Sequence, residues 1–181
     1  MIIFFGPAGA GKSVQGQMLA ARQGWRWLSA GQLLRETHDV ELLSKMGSGQ
    51  LVTPEKVNEL MDAALKRAKD VPQVILDGFP RTMVQAEWLI KNQPSYGRSI
   101  GLVIVVEVPK SELLKRLELR GRTDDTPEAI DARLNVYRHE MYPLLGYFTE
   151  HNINIVHIDG TGTVGQIHDR IMEELAACKL V

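Results

Sequence analysis

Short, unbroken apolar runs alternate with amphipathic stretches along this chain. Ile2-Ile3-Phe4-Phe5 stops at a Gly/Pro cluster, Val74-Ile75-Leu76 ends in Asp77-Gly78, and Leu102 to Val106 ends near Glu107 and Pro109. Runs of this length without polar alternation belong to strands buried on both faces of a parallel sheet. Ile153 to Ile158 predicts a fourth strand and Trp25 to Leu28 a weaker fifth. Between them, a 3.6-residue period predicts helices over Lys12 to Arg22, Pro54 to Lys69, Met83 to Asn92, Lys110 to Arg120, Pro127 to Phe148 and Val164 to Ala177. Thr126 and Pro127 form an N-cap and first-turn pair. Pro143 is expected to kink or end the helix that contains it, because it has no N–H to donate. Strands alternating with helices imply an α/β fold, a parallel sheet with right-handed crossovers. The segment 29–52 is the least regular, with two short helix-like pieces, and reads either as an inserted flap or as a plain surface excursion.

A length of 181 residues fits one domain, 1–181, with room for small insertions. The 21 basic and 22 acidic residues leave a net charge of -1, so no global positive excess advertises nucleic acid or an anionic membrane. Any anion binding must be local. The single cysteine, Cys178, permits no internal disulfide and no multi-cysteine zinc site. No apolar run approaches the roughly 20 residues that span a bilayer, and Met1 to Phe5 is too short for a signal peptide, so a cytoplasmic location is expected. Five histidines show no metal-ligand spacing and are expected at the surface or in satisfied structural roles. Trp25, Trp27 and Trp88 read as packing residues.

The candidate chemistry begins at Gly6-Pro7-Ala8-Gly9-Ala10-Gly11-Lys12-Ser13, which matches G-x-x-x-x-G-K-[ST] between the first strand and the first helix. Glycines let successive backbone N–H groups turn inward around phosphate oxygens, and the helix N-terminus adds its positive dipole end. Lys12 supplies a mobile charge for the outer phosphates. A phosphate loop of this type works with Mg2+, for which Ser13 offers a hydroxyl and a carboxylate closing a neighbouring strand offers the second contact, directly or through water. Asp77 is that carboxylate, although Asp-Gly is also an ordinary turn dipeptide.

Asp77-Gly78-Phe79-Pro80-Arg81-Thr82 with Gln85 resembles the D-G-F-P-R-T-x-x-Q segment of the adenylate kinases, and the resemblance spans nearly the whole chain. Gly6 to Gln15 is similar to that family's phosphate loop. Ser29 to Arg35 resembles its S-T-G-D-x-L-R entry to the monophosphate flap, and Gly49-Gln50-Leu51-Val52 resembles the flap's G-K-L-V end. Arg116 and Arg120 resemble the paired arginines before the lid, Arg122 to Asp125 its R-x-D-D, Arg133-Leu134 the following R-L, and Asp159 to Gly162 the D-G-T loop beside the donor base.

The resemblance implies a P-loop NTPase-type five-stranded parallel sheet in the order 2-3-1-4-5, with helices on both faces, a nucleoside monophosphate flap over 29–52 and a very short lid over 121–125. It implies a Mg2+-dependent adenylate kinase, ATP + AMP to two ADP, working as a monomer without nucleic acid or membrane partners. On this reading Gly9, Ala10, Gly11, Lys12, Ser13, Val14, Arg120 and Gly162 bind ATP. Ala30, Arg35, Gln50, Leu51, Val52, Gly78, Phe79, Pro80, Arg81, Gln85, Arg122 and Arg133 bind AMP. Lys12, Arg81, Arg116, Arg120, Arg122 and Arg133 stabilise the transferring group, and Ser13 with Asp77 holds the metal. Independently of family, gathering several nucleotide phosphates requires clustered Lys, Arg and Mg2+ rather than a covalent nucleophile. Arg116 and Arg120 stand at i, i+4 on one helix face, where they repel unless an anion lies between them.

Four positions depart from the family pattern. Val14 replaces a threonine near the phosphates. Ala30 replaces the threonine of S-T-G and resembles UMP/CMP kinases, the rival assignment, whereas Thr82 and Gln85 resemble the AMP-specific form. Gln32 replaces an aspartate expected to help position the metal or the flap. The lid has only five residues between Arg120 and Thr126. Val14, Gln32 and the short lid also motivate a reading as a nucleotide-binding sensor without turnover. A lid this short should exclude water poorly, so slow ATP hydrolysis without an acceptor is expected. Phosphate release from ATP alone measures it, and none above background would refute it.

Overall fold

The computed structural model describes residues 1–48, 50, 52–120 and 126–181. The strands are β1 (Ile2–Phe5), β2 (Arg26–Ser29), β3 (Val74–Asp77), β4 (Leu102–Glu107) and β5 (Ile155–Asp159). The helices are α1 (Lys12–Gln23), α2 (Ala30–Glu36), α3 (Val40–Gly47), α4 (Pro54–Arg67), α5 (Met83–Asn92), α6 (Lys110–Arg120), α7 (Pro127–Glu150) and α8 (Val164–Ala177). A 3-10 turn, Gln93–Tyr96, follows α5. Among the described residues the strands form one all-parallel sheet in the order β2-β3-β1-β4-β5.

The continuous apolar runs owe their pattern to a sheet covered on both sides. Ile3, Phe5, Leu76, Val103 and Val105 face one core with Met61 and Leu65 of α4, Leu89 of α5 and Leu144 and Phe148 of α7. The alternate residues Ile2, Phe4, Ile75, Leu102, Ile104 and Val106 face a second core with Leu19 of α1, Leu113 and Leu117 of α6 and Ile167, Ile171 and Leu175 of α8. Both halves of the pleat are therefore apolar, as a two-sided parallel sheet demands. The long helix α7 serves both cores, giving Ile130 and Leu134 to the second and Leu144 and Phe148 to the first.

Local signals hold at the helix starts. Thr126 Oγ1 accepts from the Ala129 N–H, Thr82 caps α5, and Thr163 forms a capping box with Gln166 ahead of α8. Pro143 does not end its helix, since α7 runs through it to Glu150. Pro143 and His139 are both exposed, so the carbonyl left without a partner meets water, while the flanking Leu144 and Phe148 are fully buried and hold the helix in place.

Helix α1 lies close enough to the edge strand that only glycine fits between them. A Cβ on Gly16 would stand 2.5 Å from Cδ1 of Trp27. Gly16→Ala should thus lower stability by about 1–2 kcal/mol despite alanine's better helix propensity. Combining it with Trp27→Leu should recover most of the loss. Denaturant midpoints for the two single variants and the double check this, and strict additivity would remove the contact as the cause.

Candidate active site

The segments that follow β1, β2, β3 and β5 line one crevice, beside the point where chain order reverses between β1 and its neighbours β3 and β4. The loop after β1 is built from conformations that glycine permits. Gly6 has φ 145°, and a Cβ there would lie 2.7 Å from the Val106 carbonyl oxygen. Gly11 has φ 90° and serves as the N-cap of α1, where a side chain would meet space but not a favourable backbone angle. Lys12 Nζ reaches back across the loop, donating to the carbonyls of Gly6 at 2.7 Å and Pro7 at 2.9 Å. Ser13 Oγ donates to Asp77 Oδ2 at 2.6 Å, joining the first turn of α1 to the end of β3.

Asp77 is nearly buried, and its neighbours are cationic. Arg81 donates through Nε to the Gly78 carbonyl at 3.0 Å. Arg81 is exposed at the cleft mouth, yet loss of hydration among the surrounding groups lowers its pKa, Asp77 raises it, and Arg133 and Arg35 lower it again. Arg116 Nε pairs with Glu112 Oε1 at 2.9 Å, and Arg133 Nε donates to the Ala129 carbonyl at 3.1 Å. Gln85, buried at the start of α5, accepts the Arg81 backbone N–H through Oε1 at 2.6 Å. Its amide is therefore held in one orientation at the cleft wall.

The cleft has a volume of about 600 Å³. It is lined by Gly9, Gly11, Lys12, Ser13, Val14 and Gly162 on one side and by Ala30, Arg35, Gln50, Val52, Gly78, Pro80, Arg81 and Gln85 on the other. Asp77, Arg116, Arg120 and Arg133 line it too. Two predicted site residues do not reach it. Ala10 and Phe79 are buried at 0% and 1% exposure, behind the loops whose backbones they shape. Leu51, Arg122 and the lid segment 121–125 lie outside the described residues. Glu112, Tyr137 and Glu140 also line the cleft without having been singled out from the sequence. Glu112 carried a signal, four residues before Arg116 on one helix face. Tyr137 and Glu140 carried none beyond their place in α7.

The oxygen atoms of Ser13 and Asp77 suit a hard divalent cation of the Mg2+ type, which keeps most of its waters and takes few protein ligands. Among the described residues no group of three or more His, Cys, Asp or Glu forms a metal cage. None of their helices is long and apolar enough to cross a membrane.

The profile of the family described as Adenylate kinase matches residues 4–153. An adenylate kinase of Mycobacteroides abscessus is 38% identical over 181 residues, covering 96% of this chain and 98% of its own. One of Thermus thermophilus is 38% identical over 184 residues, with 96% of each chain covered. One of Porphyromonas gingivalis is 34% identical, covering 94% of this chain and 92% of its own.

Crowding of the cleft sets a pH dependence. Burial holds the Lys12 ammonium down to about 8 from 10.5; Asp77 pulls its pKa up, and Arg81 and Arg120 push it down. Folding therefore releases a proton between those values, so the Lys12 contribution to stability is unfavourable below about pH 8 and that cost fades as pH rises toward 10.5. Lys12→Met should stabilise the nucleotide-free protein most below pH 8, with the difference shrinking on the alkaline side. Urea midpoints from pH 7 to 10 measure it, and a constant difference would show that Lys12 is not strained by its surroundings.

Proposed function

The chain belongs to the adenylate kinase family and is a nucleoside monophosphate kinase that converts ATP and AMP to two ADP, and from that premise we propose how its cleft does so. One observation carries the reading: Lys12, Arg35, Arg81, Arg116, Arg120 and Arg133 line a single cleft around the Ser13–Asp77 pair. Two nucleotides bring several negative charges to one place, and only such a concentration of fixed cations stabilises them without water.

We assign the phosphate-loop side to ATP. Gly9 to Val14 would surround its phosphates with backbone N–H groups, Arg120 would hold the outer phosphates, and the Gly162 backbone would stand beside the base. The β3 side would receive AMP, with Arg35 and Arg81 on the α-phosphate and Gln85, Gln50 and Val52 at the base. Ala30, Gly78, Phe79 and Pro80 would complete that pocket, Phe79 from behind the loop. Arg116 and Arg133 would stabilise the phosphoryl group in flight. Leu51 in the base pocket and Arg122 beside Arg133 are part of the same assignment. Segments 29–52 and 121–125 would act as flap and lid. Mg2+ held by Ser13 and Asp77, partly through water, would neutralise charge on the β- and γ-phosphates.

The chain's own groups then act by placement. An oxygen of the AMP phosphate attacks the γ-phosphorus in line, the bond from that phosphorus to the bridging β-γ oxygen breaks, and ADP departs as the second ADP forms. Lys12 leaves the carbonyls of Gly6 and Pro7 for the incoming phosphates, exchanging neutral acceptors for charged ones. Arg116 can exchange Glu112 for a phosphate oxygen in the same way. A monomer in the cytoplasm is part of the proposal.

ADP formation from ATP with AMP, CMP, UMP and GMP tests the acceptor, and AMP should lead; a preference for CMP or UMP would overturn the pocket assignment. Lys12→Ala and Arg81→Ala should each lower kcat by roughly 10²- to 10³-fold, the usual cost of removing one transition-state donor. Near-native rates in both would place the chemistry elsewhere.

A further inference from the structure

Behind the phosphate loop, a buried polar chain joins α1 to the start of α8. Gln15 is 2% exposed and His168 1% exposed. Gln15 Nε2 donates to the Val164 carbonyl at 2.9 Å, and His168 Nδ1 faces Gln15 Oε1 at 3.1 Å. His168 Nε2 is buried and meets no partner among the described residues.

Donor and acceptor chemistry fixes each proton in this chain. A carbonyl oxygen only accepts, so the face of the Gln15 amide turned to Val164 is its NH2 group. The face turned to His168 is then the amide oxygen, another acceptor, and His168 Nδ1 must carry a hydrogen. A second hydrogen on Nε2 would leave both a charge and an unmet donor in the interior, which is costly. The imidazole is therefore neutral, protonated on Nδ1, and burial lowers its pKa, with Arg22 adding to the effect and Asp169 opposing it.

Gln15 stands two residues after Ser13, and Val164 two residues after Gly162, all of them lining the same cleft. Gly162 sits at φ 99° ahead of the Thr163 capping box, so the direction of that turn follows the first turn of α8. We infer that His168 is a positioning residue for the ATP side of the cleft, acting through Gln15 to hold the α8 entry and the Gly162 turn at a set distance from the phosphate loop. The inference rests on the assignment of that side to ATP. His168 touches neither nucleotide; it keeps Gln15 from rotating and releasing Val164.

The test compares side chains that differ in where they place a donor. Asparagine at position 168 puts its amide nitrogen where Nδ1 stands, whereas glutamine puts its nitrogen nearer the place of Nε2. His168→Leu should raise the KM for ATP by about 3- to 10-fold, the loss of one buried hydrogen bond. The KM for AMP should stay unchanged. His168→Asn should return the ATP value to within about twofold of native, and His168→Gln should not. In the unaltered chain, nitrogen-15 NMR should find His168 in the neutral Nδ1–H form at pH 7. Equal behaviour of the Asn and Gln variants, an Nε2–H ring, or an unchanged KM for ATP in a folded Leu variant would each overturn the inference. Should His168→Leu not fold, the Asn and Gln pair and the ring's tautomer decide it. Failure of the underlying assignment looks different: the KM for AMP would move instead, with the tautomer and the Asn rescue as expected.

Discussion

Several cations stripped of water and held together around one carboxylate are the constraint that the rest of this molecule is built to bear. Lys12 and Arg81 each have pKa values lowered first by loss of hydration, raised by Asp77 and lowered again by other cations of the cleft. A site prepared for phosphates is uncomfortable without them, and that discomfort is a source of binding energy released when anions arrive. The scaffold must stop the cations from drifting apart in the meantime. It does so with neutral or compensating partners that can be exchanged: Gly6 and Pro7 carbonyls for Lys12, Gly78 for Arg81, Ala129 for Arg133 and Glu112 for Arg116. Each contact holds a side chain in the cleft at low cost to its later release.

Such a cluster needs rigid attachment, and the two-faced sheet supplies it. Asp77 terminates β3, in register with Phe4 of β1, so the carboxylate and the root of the phosphate loop are separated by one inter-strand spacing. Val106 of β4 closes the other side, near enough to Gly6 that no side chain fits. Farther from the site, Arg98 gathers the carbonyls of Ala68, Val71 and Pro72, satisfying backbone acceptors of the turn that joins α4 to β3. The floor of the cleft is thus fixed by sheet register, and freedom is left to the side chains above it.

Much of this was legible in the sequence because parallel strands covered on both faces leave a plain mark. The runs at Ile2, Val74 and Leu102 fell within one residue of β1, β3 and β4, and the glycine loop announced its own conformation. Edge strands spoke less clearly: β2, with exposed Arg26, begins one residue later than Trp25. Pro143 does not end α7 because a rule about hydrogen bonds says nothing about the buried neighbours that hold a helix together across the gap. Ala10 and Phe79 show what a motif leaves open, since it marks which residues travel together and not which side chains point into the cleft. The most consequential silence was at His168. Its spacing matched no ligand pattern, and only the three-dimensional approach of α8 to α1 reveals that it is neither at the surface nor fully satisfied.

Of the family departures, Gln32 changes meaning most. An acidic residue at this position was expected to support the metal or the flap, yet Gln32 does not line the nucleotide cleft. It lies in a separate groove with Arg26, Glu36 and Arg67, where its amide donates to Glu36 Oε1 at 2.6 Å. The loss of a carboxylate there leaves the Ser13–Asp77 pair untouched. Val14 is the contrary case: it does line the cleft and is 47% exposed, so a hydroxyl at this position would face the cleft itself. Position in the fold, rather than similarity of the exchanged residues, decides which departure bears on the chemistry. A charge removed from the far side of a helix alters that helix, whereas a hydroxyl removed from the phosphate loop alters the site.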